Sequence, residues 1–392
     1  MKMSVLIYEP DSRGHRLNYV RLIAEKLLET GFQPVIFIHK TAMHSPEFRT
    51  NLADIRKIVD IRFQSTVDLK HDMLFLEWQK ACELVRIVKQ LTPARTYITS
   101  GDGIAQMLGL RLLGRSLPTR LETILLAGRS VAPRPKGILN VKYRLSGFLI
   151  DRVKWDAVHL NAPVSMEWLR QYSPKTFKRA KVMPDPTPVR QPMPKNDARV
   201  KLGLDPDSKW IGCLGPINKR KGIDLLLKAF FHNNGIPECK LFIAGKVYEE
   251  LAWIRKKYAK EVENGALFLR DEYLNNDDFQ TALFALDVLC LPYRGIRWSS
   301  SGLILQATAA NRPVLTCDRG WIAKVTQDYS LGWMTNVKNI ATFHNDLKTC
   351  LSQCNEYRMS ETARNWLEFN SEKQFKAQLT YNLRNPSEAN TG

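Results

Sequence analysis

At 392 residues the chain is long for one hydrophobic core and suits two domains of ordinary size. With 44% hydrophobic and 25% charged residues it falls outside the disordered range, and no apolar run reaches the length of a membrane span. The net charge of +19 is uneven, residues 1–190 holding 31 basic against 17 acidic side chains. Nucleic acid, an anionic membrane face or an acidic substrate would each explain that field; a solvated basic surface without a partner is the plain alternative.

The start, Met1-Lys2-Met3-Ser4, is too short a lead for a signal peptide, and Ser4–Tyr8 reads as a first strand. Residues 15–30 place Leu17, Val20, Leu22, Ile23 and Leu27 at helical spacing. Gly31 stops that helix, and Pro34–Ile38 is the next strand. Further strands are expected near 58–63, 96–99, 121–126, 156–160 and 180–183, with helices near 74–91, 103–113, 138–153 and 163–172. Such alternation predicts a doubly wound parallel sheet.

Pro184, Pro186, Pro188, Pro192 and Pro194 then crowd a segment that neither a helix nor a central strand tolerates, so the linker belongs there. The rhythm restarts with strands 209–214, 240–244, 266–269, 286–291 and 312–316. Helices 221–232, 247–261, 275–285 and 302–310 separate them, and a helical tail follows over 338–380. This divides the chain into domains 1–190 and 191–370 and a C-terminal helix and tail, 371–392. The seven cysteines form no Cys-x-x-Cys pair and several lie in apolar runs, as expected of reduced, buried thiols in a cytoplasmic protein.

In open α/β sheets ligands sit beyond the carboxyl ends of the strands, so the strand-to-helix loops come first. Gly215-Pro216-Ile217-Asn218-Lys219-Arg220-Lys221-Gly222 puts three cations where a helix start normally favours acidic residues, a misfit that a shared anion would resolve. Lys221, adjoining Gly222, is the cation expected to point inward. The second loop closes with Ser299-Ser300-Ser301-Gly302 before Leu303-Ile304-Leu305, offering N-cap hydroxyls and approachable amides for a phosphate. A solvated basic turn and a purely structural cap are the bland readings of the two.

The series Gly215…Lys221-Gly222-Ile223-Asp224-Leu225-Leu226…Phe230, Leu241-Phe242-Ile243-Ala244-Gly245, Asp287-Val288…Pro292 and Gly302-Leu303-Ile304-Leu305-Gln306-Ala307…Ala310-Asn311-Arg312-Pro313-Val314 resembles the C-terminal domain of glycosyltransferase family 4. Order and spacing match over about 120 residues. The resemblance implies the GT-B fold: two Rossmann-like, doubly wound α/β domains facing across a cleft. It implies that Lys221 holds the donor diphosphate. Pro216 stands where the family keeps an arginine, a contact left to Lys219, Arg220 or Arg297. Gly215, Gly245, Arg270, Ser299, Ser300, Ser301, Gly302 and Leu303 complete the implied donor-side set. The family's two glutamates, seven residues apart, are here Trp298 and Gln306; Gln306 would take the ribose hydroxyls with weaker hydrogen bonds than a carboxylate.

The N-terminal half resembles the family more weakly. Gly14 matches the glycine-rich loop that approaches the donor phosphate, with Arg13, His15 and Arg16 as helpers, and Arg129 stands near the place of a family histidine. The implied catalytic set is therefore Lys221, Arg129 and His15. The implied activity is sugar transfer from a nucleotide sugar (UDP- or GDP-linked) to a glycan or lipid-linked acceptor, with retention of configuration and with neither metal nor cofactor. A catalytically silent binder of the same fold is the alternative. Residues 134–154 alternate cations with Ile138, Leu139, Val141, Tyr143, Leu145, Phe148, Leu149 and Ile150, a composition shared by membrane-surface helices and by buried helices with snorkelling cations. A cytoplasmic protein, peripheral on the inner membrane face, would suit it. Asp205-Pro206-Asp207 reads as a turn rather than a metal site, and no zinc, nucleoside-triphosphatase or nucleic-acid motif is present.

Overall fold

A computed structural model describes residues 3–11, 16–65, 67, 73–126, 138–188, 191–296 and 300–384. The chain divides into two compact units. One runs to Pro186 and includes the C-terminal helix Glu372–Arg384; the other holds Thr187 to Ile296 and Ser301 to Asn370.

The first unit is built on a seven-stranded sheet of β1 (Ser4–Glu9), β2 (Gln33–His39), β3 (Asp60–Ser65), β4 (Arg95–Ile98), β5 (Arg120–Leu125), β6 (Ala157–Leu160) and β7 (Ala180–Val182). The order is β3-β2-β1-β4-β5-β6-β7 and every pairing is parallel. Val5, Leu6, Ile7 and Tyr8 are all buried, because helices cover both faces. Side chains alternate between the faces: Val5 and Ile7 enter one core with Leu17, Val20 and Ile23, while Leu6 and Tyr8 enter the other with Leu84, Ile104 and Leu108.

The tail does more than fray. Helix Glu372–Arg384 returns to the first unit, where Phe375 and Leu379 join the Val5 core and the Phe375 ring stands 5.5 Å edge-on to Tyr19. Arg21–Glu372 (2.6 Å) and Lys376–Glu25 (2.7 Å) pair across that contact.

The second unit carries a six-stranded parallel sheet of β8 (Lys209–Leu214), β9 (Cys239–Ala244), β10 (Leu267–Arg270), β11 (Val288–Leu291), β12 (Val314–Cys317) and β13 (Gly332–Thr335). Its order is β10-β9-β8-β11-β12-β13. Three expectations change here. The helix over 247–261 is broken into Glu249–Leu251, Trp253–Lys257 and Ala259–Glu263, with Tyr258 leaving helical geometry at φ −110°, ψ 31°. The helix expected from 221 starts at Ile223, after a 3₁₀ turn. Helix Gly320–Asp328 and strand β13 extend a sheet that the sequence pattern ended at 316.

Asp205 forms the expected turn: it accepts from the Asp207 amide at 3.0 Å and pairs with Lys240 at 2.7 Å. Among the described residues no helix is long and apolar enough to cross a membrane.

Candidate nucleotide-binding site

In the second sheet the chain winds outward from β8 through β9 to β10, then resumes at β11 on β8's other side. The loops that leave β8 and β11 therefore diverge, opening a crevice at their carboxyl ends, where such sheets take ligands. Both loops singled out in the sequence lie there.

Backbone packing shapes the first loop. Gly215 has φ 88°, and its amide donates to the Ala244 carbonyl at 2.9 Å. A Cβ on Gly245 would stand 2.2 Å from the Gly215 carbonyl oxygen, so the ends of β8 and β9 close only because both are glycine. Asn218 caps a 3₁₀ turn, Lys219–Lys221, by accepting from the Lys221 amide. Gly222 follows at φ 68°, and a Cβ there would lie 2.0 Å from the Pro292 carbonyl oxygen. The three cations thus sit on a 3₁₀ turn rather than at the start of helix Ile223–Phe230. The Lys221 amide already bonds inside the turn, while helix Ile223–Phe230 begins after Gly222 with no side-chain cap.

Lys221 does point inward. It is 1% exposed, and its Nζ donates to the Leu214 carbonyl oxygen. No carboxylate among the described residues pairs with it, and an ammonium buried without a counter-charge is costly. Burial pulls its pKa down to about 8; Cys213 pulls the other way and Arg220 adds to the fall. The geometry provides an ammonium whose charged form a bound anion would stabilise.

The second loop is tied to the first. The Arg294 amide donates to the Arg220 carbonyl at 2.9 Å, and the Arg294 guanidinium pairs with Asp224. The Arg220 guanidinium lies over the Tyr293 ring, 5.3 Å from its centroid. Ser301 occupies the N-cap of helix Gly302–Ala309, but its hydroxyl makes no capping bond; it meets the Tyr293 hydroxyl at 3.2 Å instead. That corrects the expectation of a capping hydroxyl from Ser301 and leaves the first helix amides without a side-chain cap among the described residues. At Gly302 a Cβ would meet nothing closer than the Gln306 Nε2 at 4.0 Å, so no described side chain crowds that helix start. Gln306 accepts from Gln280 Nε2 at 3.4 Å.

The structure brings together Gly215, Lys221, Gly222, Arg220, Ser301, Gly302 and Gln306 around these two loops. Lys219 lies on the same turn, Leu303 in the first turn of the second helix, and Ser300 just before it. Arg270 stands apart at the end of β10, its guanidinium held by Glu272 and, at 2.9 Å, by Asp278; its carbonyl accepts from the Gly245 amide. Gly14, His15, Arg13, Arg129, Arg297, Trp298 and Ser299 lie outside the described residues. Arg16 pairs with Asp11 at 2.6 Å.

The pattern of the sequence did not single out a second cluster, at the corresponding switch point of the first sheet between β1 and β4. Glu9, fully buried, accepts from Thr99 Oγ1 (2.8 Å), Ser100 Oγ (2.7 Å) and the Asp11 amide (2.8 Å). Burial pushes its carboxyl up, against Arg16 and these hydrogen bonds. A lone glutamate closing an apolar strand, with Thr-Ser closing another, was the available signal.

Comparison with known proteins bears on the fold. Sucrose-phosphate synthase from Thermosynechococcus elongatus superposes with a TM-score of 0.75 at 14% identity, covering 98% of each chain. Anabaena HepE, solved with UDP and glucose, superposes with a TM-score of 0.68 at 14% identity, covering 97% of this chain and 99% of that one. Residues 194–366 match the family model for glycosyl transferases group 1. That match covers less than half of the chain, and the superpositions show the GT-B fold. That GT-B chain is also 30% identical over 135 residues to the lipopolysaccharide core biosynthesis mannosyltransferase LpsB of Rhizobium meliloti. The aligned stretch spans 33% of this chain and 37% of LpsB. Lys221 and the Gly302 helix start both fall within the matched residues.

Proposed function

We propose that the protein is a glycosyltransferase that moves a sugar from a nucleotide-sugar donor, a UDP- or GDP-sugar, to a glycan or lipid-linked acceptor. The observation that carries this is the buried, carboxylate-free ammonium of Lys221 on one loop of the β8–β11 crevice, with the uncapped amides at Gly302 on the other. Together they suit the charge that develops on a departing diphosphate. Cations and helix-start amides do this without a divalent ion, so the reading is metal-independent. Retention of configuration follows from the family resemblance. Gln306 takes the ribose hydroxyls, Arg220 and Lys219 assist at the phosphates, His15 helps the Gly14 loop at the donor phosphate, and Arg129 holds an anionic group. The basic first unit works at an anionic membrane face on the cytoplasmic side.

Calorimetry with a panel of nucleoside diphosphates, beside donor-hydrolysis assays, tests the reading. Micromolar binding of one diphosphate and slow hydrolysis of its sugar conjugate are expected. Failure to bind any nucleotide would sink it; binding without turnover on any acceptor would turn it into a silent binder.

A further inference from the structure

Helix Ile138–Asp151 of the first unit has two apolar sides. Tyr143 and Ile150 point into the core. Val141, Leu145 and Phe148, spaced by four and three residues, form a stripe on the outside at 66, 58 and 55% exposure. A helix in a folded domain normally buries one stripe and solvates the rest, and no partner covers the second stripe among the described residues.

Beside Phe148 a cavity of about 490 Å³ opens between this helix and the segment 171–175, and Arg144, Arg152 and Lys175 line it. The carboxylate in its wall, Asp151, is already engaged. It accepts from Ser173 Oγ (2.6 Å), from the Thr176 amide and hydroxyl (2.8 Å each) and from the Lys175 amide (3.2 Å). None of the three cations pairs with a carboxylate among the described residues, and the Arg152 guanidinium rests over the Phe148 ring at 5.3 Å. The cavity therefore sets three cations against a single carboxylate, a net positive lining immediately beside an exposed aromatic.

We propose that this surface docks the protein on an anionic lipid bilayer. Phe148, Leu145 and Val141 enter the boundary between headgroups and acyl chains, while Arg144, Arg152 and Lys175 seat a headgroup phosphate in the cavity. The pairing of an apolar stripe with unpaired cations selects a bilayer over a protein partner: a partner helix would need the stripe but not a cationic socket, and a soluble anion the reverse. The proposal rests on the membrane part of the reading above and stands independently of sugar transfer.

The test uses the full chain in flotation with vesicles of phosphatidylcholine alone and with one-third phosphatidylglycerol, at low and high salt. The wild type is expected to float with the anionic vesicles only, and less so at high salt. Arg144→Ala/Arg152→Ala/Lys175→Ala should lower the partition coefficient about tenfold or more. Leu145→Ser/Phe148→Ser should lower it at both salt levels. An equal charge removal on the second unit, Arg255→Ala/Lys256→Ala/Lys257→Ala, should leave at least half of the binding. All substituted side chains are at the surface or partly so, and the thermal midpoint and circular dichroism of each variant check that it is folded. Absence of flotation, or equal loss in the control triple, overturns the proposal. So does binding of inorganic phosphate, lost in the cavity triple, by a wild type that ignores vesicles. Flotation without nucleotide binding would sink the transferase reading alone; nucleotide binding without flotation would sink the docking alone.

Discussion

Arg294, in the loop that leaves β11, forms an ion pair with Asp224, in the first turn of the helix that follows the β8 loop. The Arg294 amide also bonds the Arg220 carbonyl at 2.9 Å, so one residue fastens both loops of the crevice by backbone and side chain. The pair is incompletely satisfied: Asp224 Oδ1 and Arg294 Nε are buried without a hydrogen-bond partner.

That arrangement predicts a coupling measurable by a double-mutant cycle. Arg294→Ala and Asp224→Ala should each lower the thermal midpoint and weaken nucleoside diphosphate binding. The double variant should lose less than the sum, with a coupling of about 0.5–1.5 kcal/mol for a partly exposed pair. Strict additivity would show that the pair does not join the loops.

Lys221→Met separates binding from stability. Removing a buried ammonium relieves its desolvation, so the thermal midpoint should hold or rise, although the bond to the Leu214 carbonyl is lost. Nucleoside diphosphate affinity should fall by roughly 1.5–3 kcal/mol, the loss of a charge-assisted contact. Unchanged affinity, read by calorimetry, would show that the phosphates bind elsewhere.

The same lysine predicts a pH dependence. Its ligand-free pKa is lowered to about 8, and a bound diphosphate raises it by favouring the charged form. Below pH 8 the lysine is charged both free and bound, and affinity is at its plateau. Above pH 8 binding must take up a proton, so affinity falls as pH rises until the bound pKa is passed. Titrations from neutral pH into the alkaline range should show this fall in the wild type and its absence in Lys221→Met. For folding the sign is opposite: between pH 8 and the ordinary lysine value the unfolded chain binds more protons, and stability contributed by this group rises with pH.

Gly222 and Gly31 offer a matched comparison. Both have positive φ, 68° and 85°, but a Cβ at Gly31 meets nothing within 4 Å, while at Gly222 it lies 2.0 Å from the Pro292 carbonyl. Gly31→Ala should cost about 1 kcal/mol of unfolding free energy, the left-handed penalty alone. Gly222→Ala should cost clearly more and also weaken nucleotide binding, because the two loops must part. Equal midpoints for the two variants in denaturant titrations would contradict the close approach.

Much of this was legible residue by residue. The run Val5-Leu6-Ile7-Tyr8 announces a buried parallel strand, the prolines from Pro184 to Pro194 mark the change of unit, and Lys221 beside Gly222 marks the inward cation. These signals are local: apolar period, forbidden backbone angles and charge at an unfavoured position act within a few residues. Tertiary structure alone decided which strands are neighbours. It placed β11 beside β8, so that loops some 80 residues apart in sequence share one crevice. The same long-range packing drew the Ser301 hydroxyl to Tyr293, held Arg270 between Glu272 and Asp278, and returned helix Glu372–Arg384 to the first unit. A side chain's partner depends on what the fold brings within hydrogen-bond distance, and no spacing along the chain encodes that. The sequence by itself determined an alternating α/β chain with a cation and an open helix start suited to phosphate. The strand order made them one site, because only a reversal of winding leaves two such loops diverging from adjacent strands.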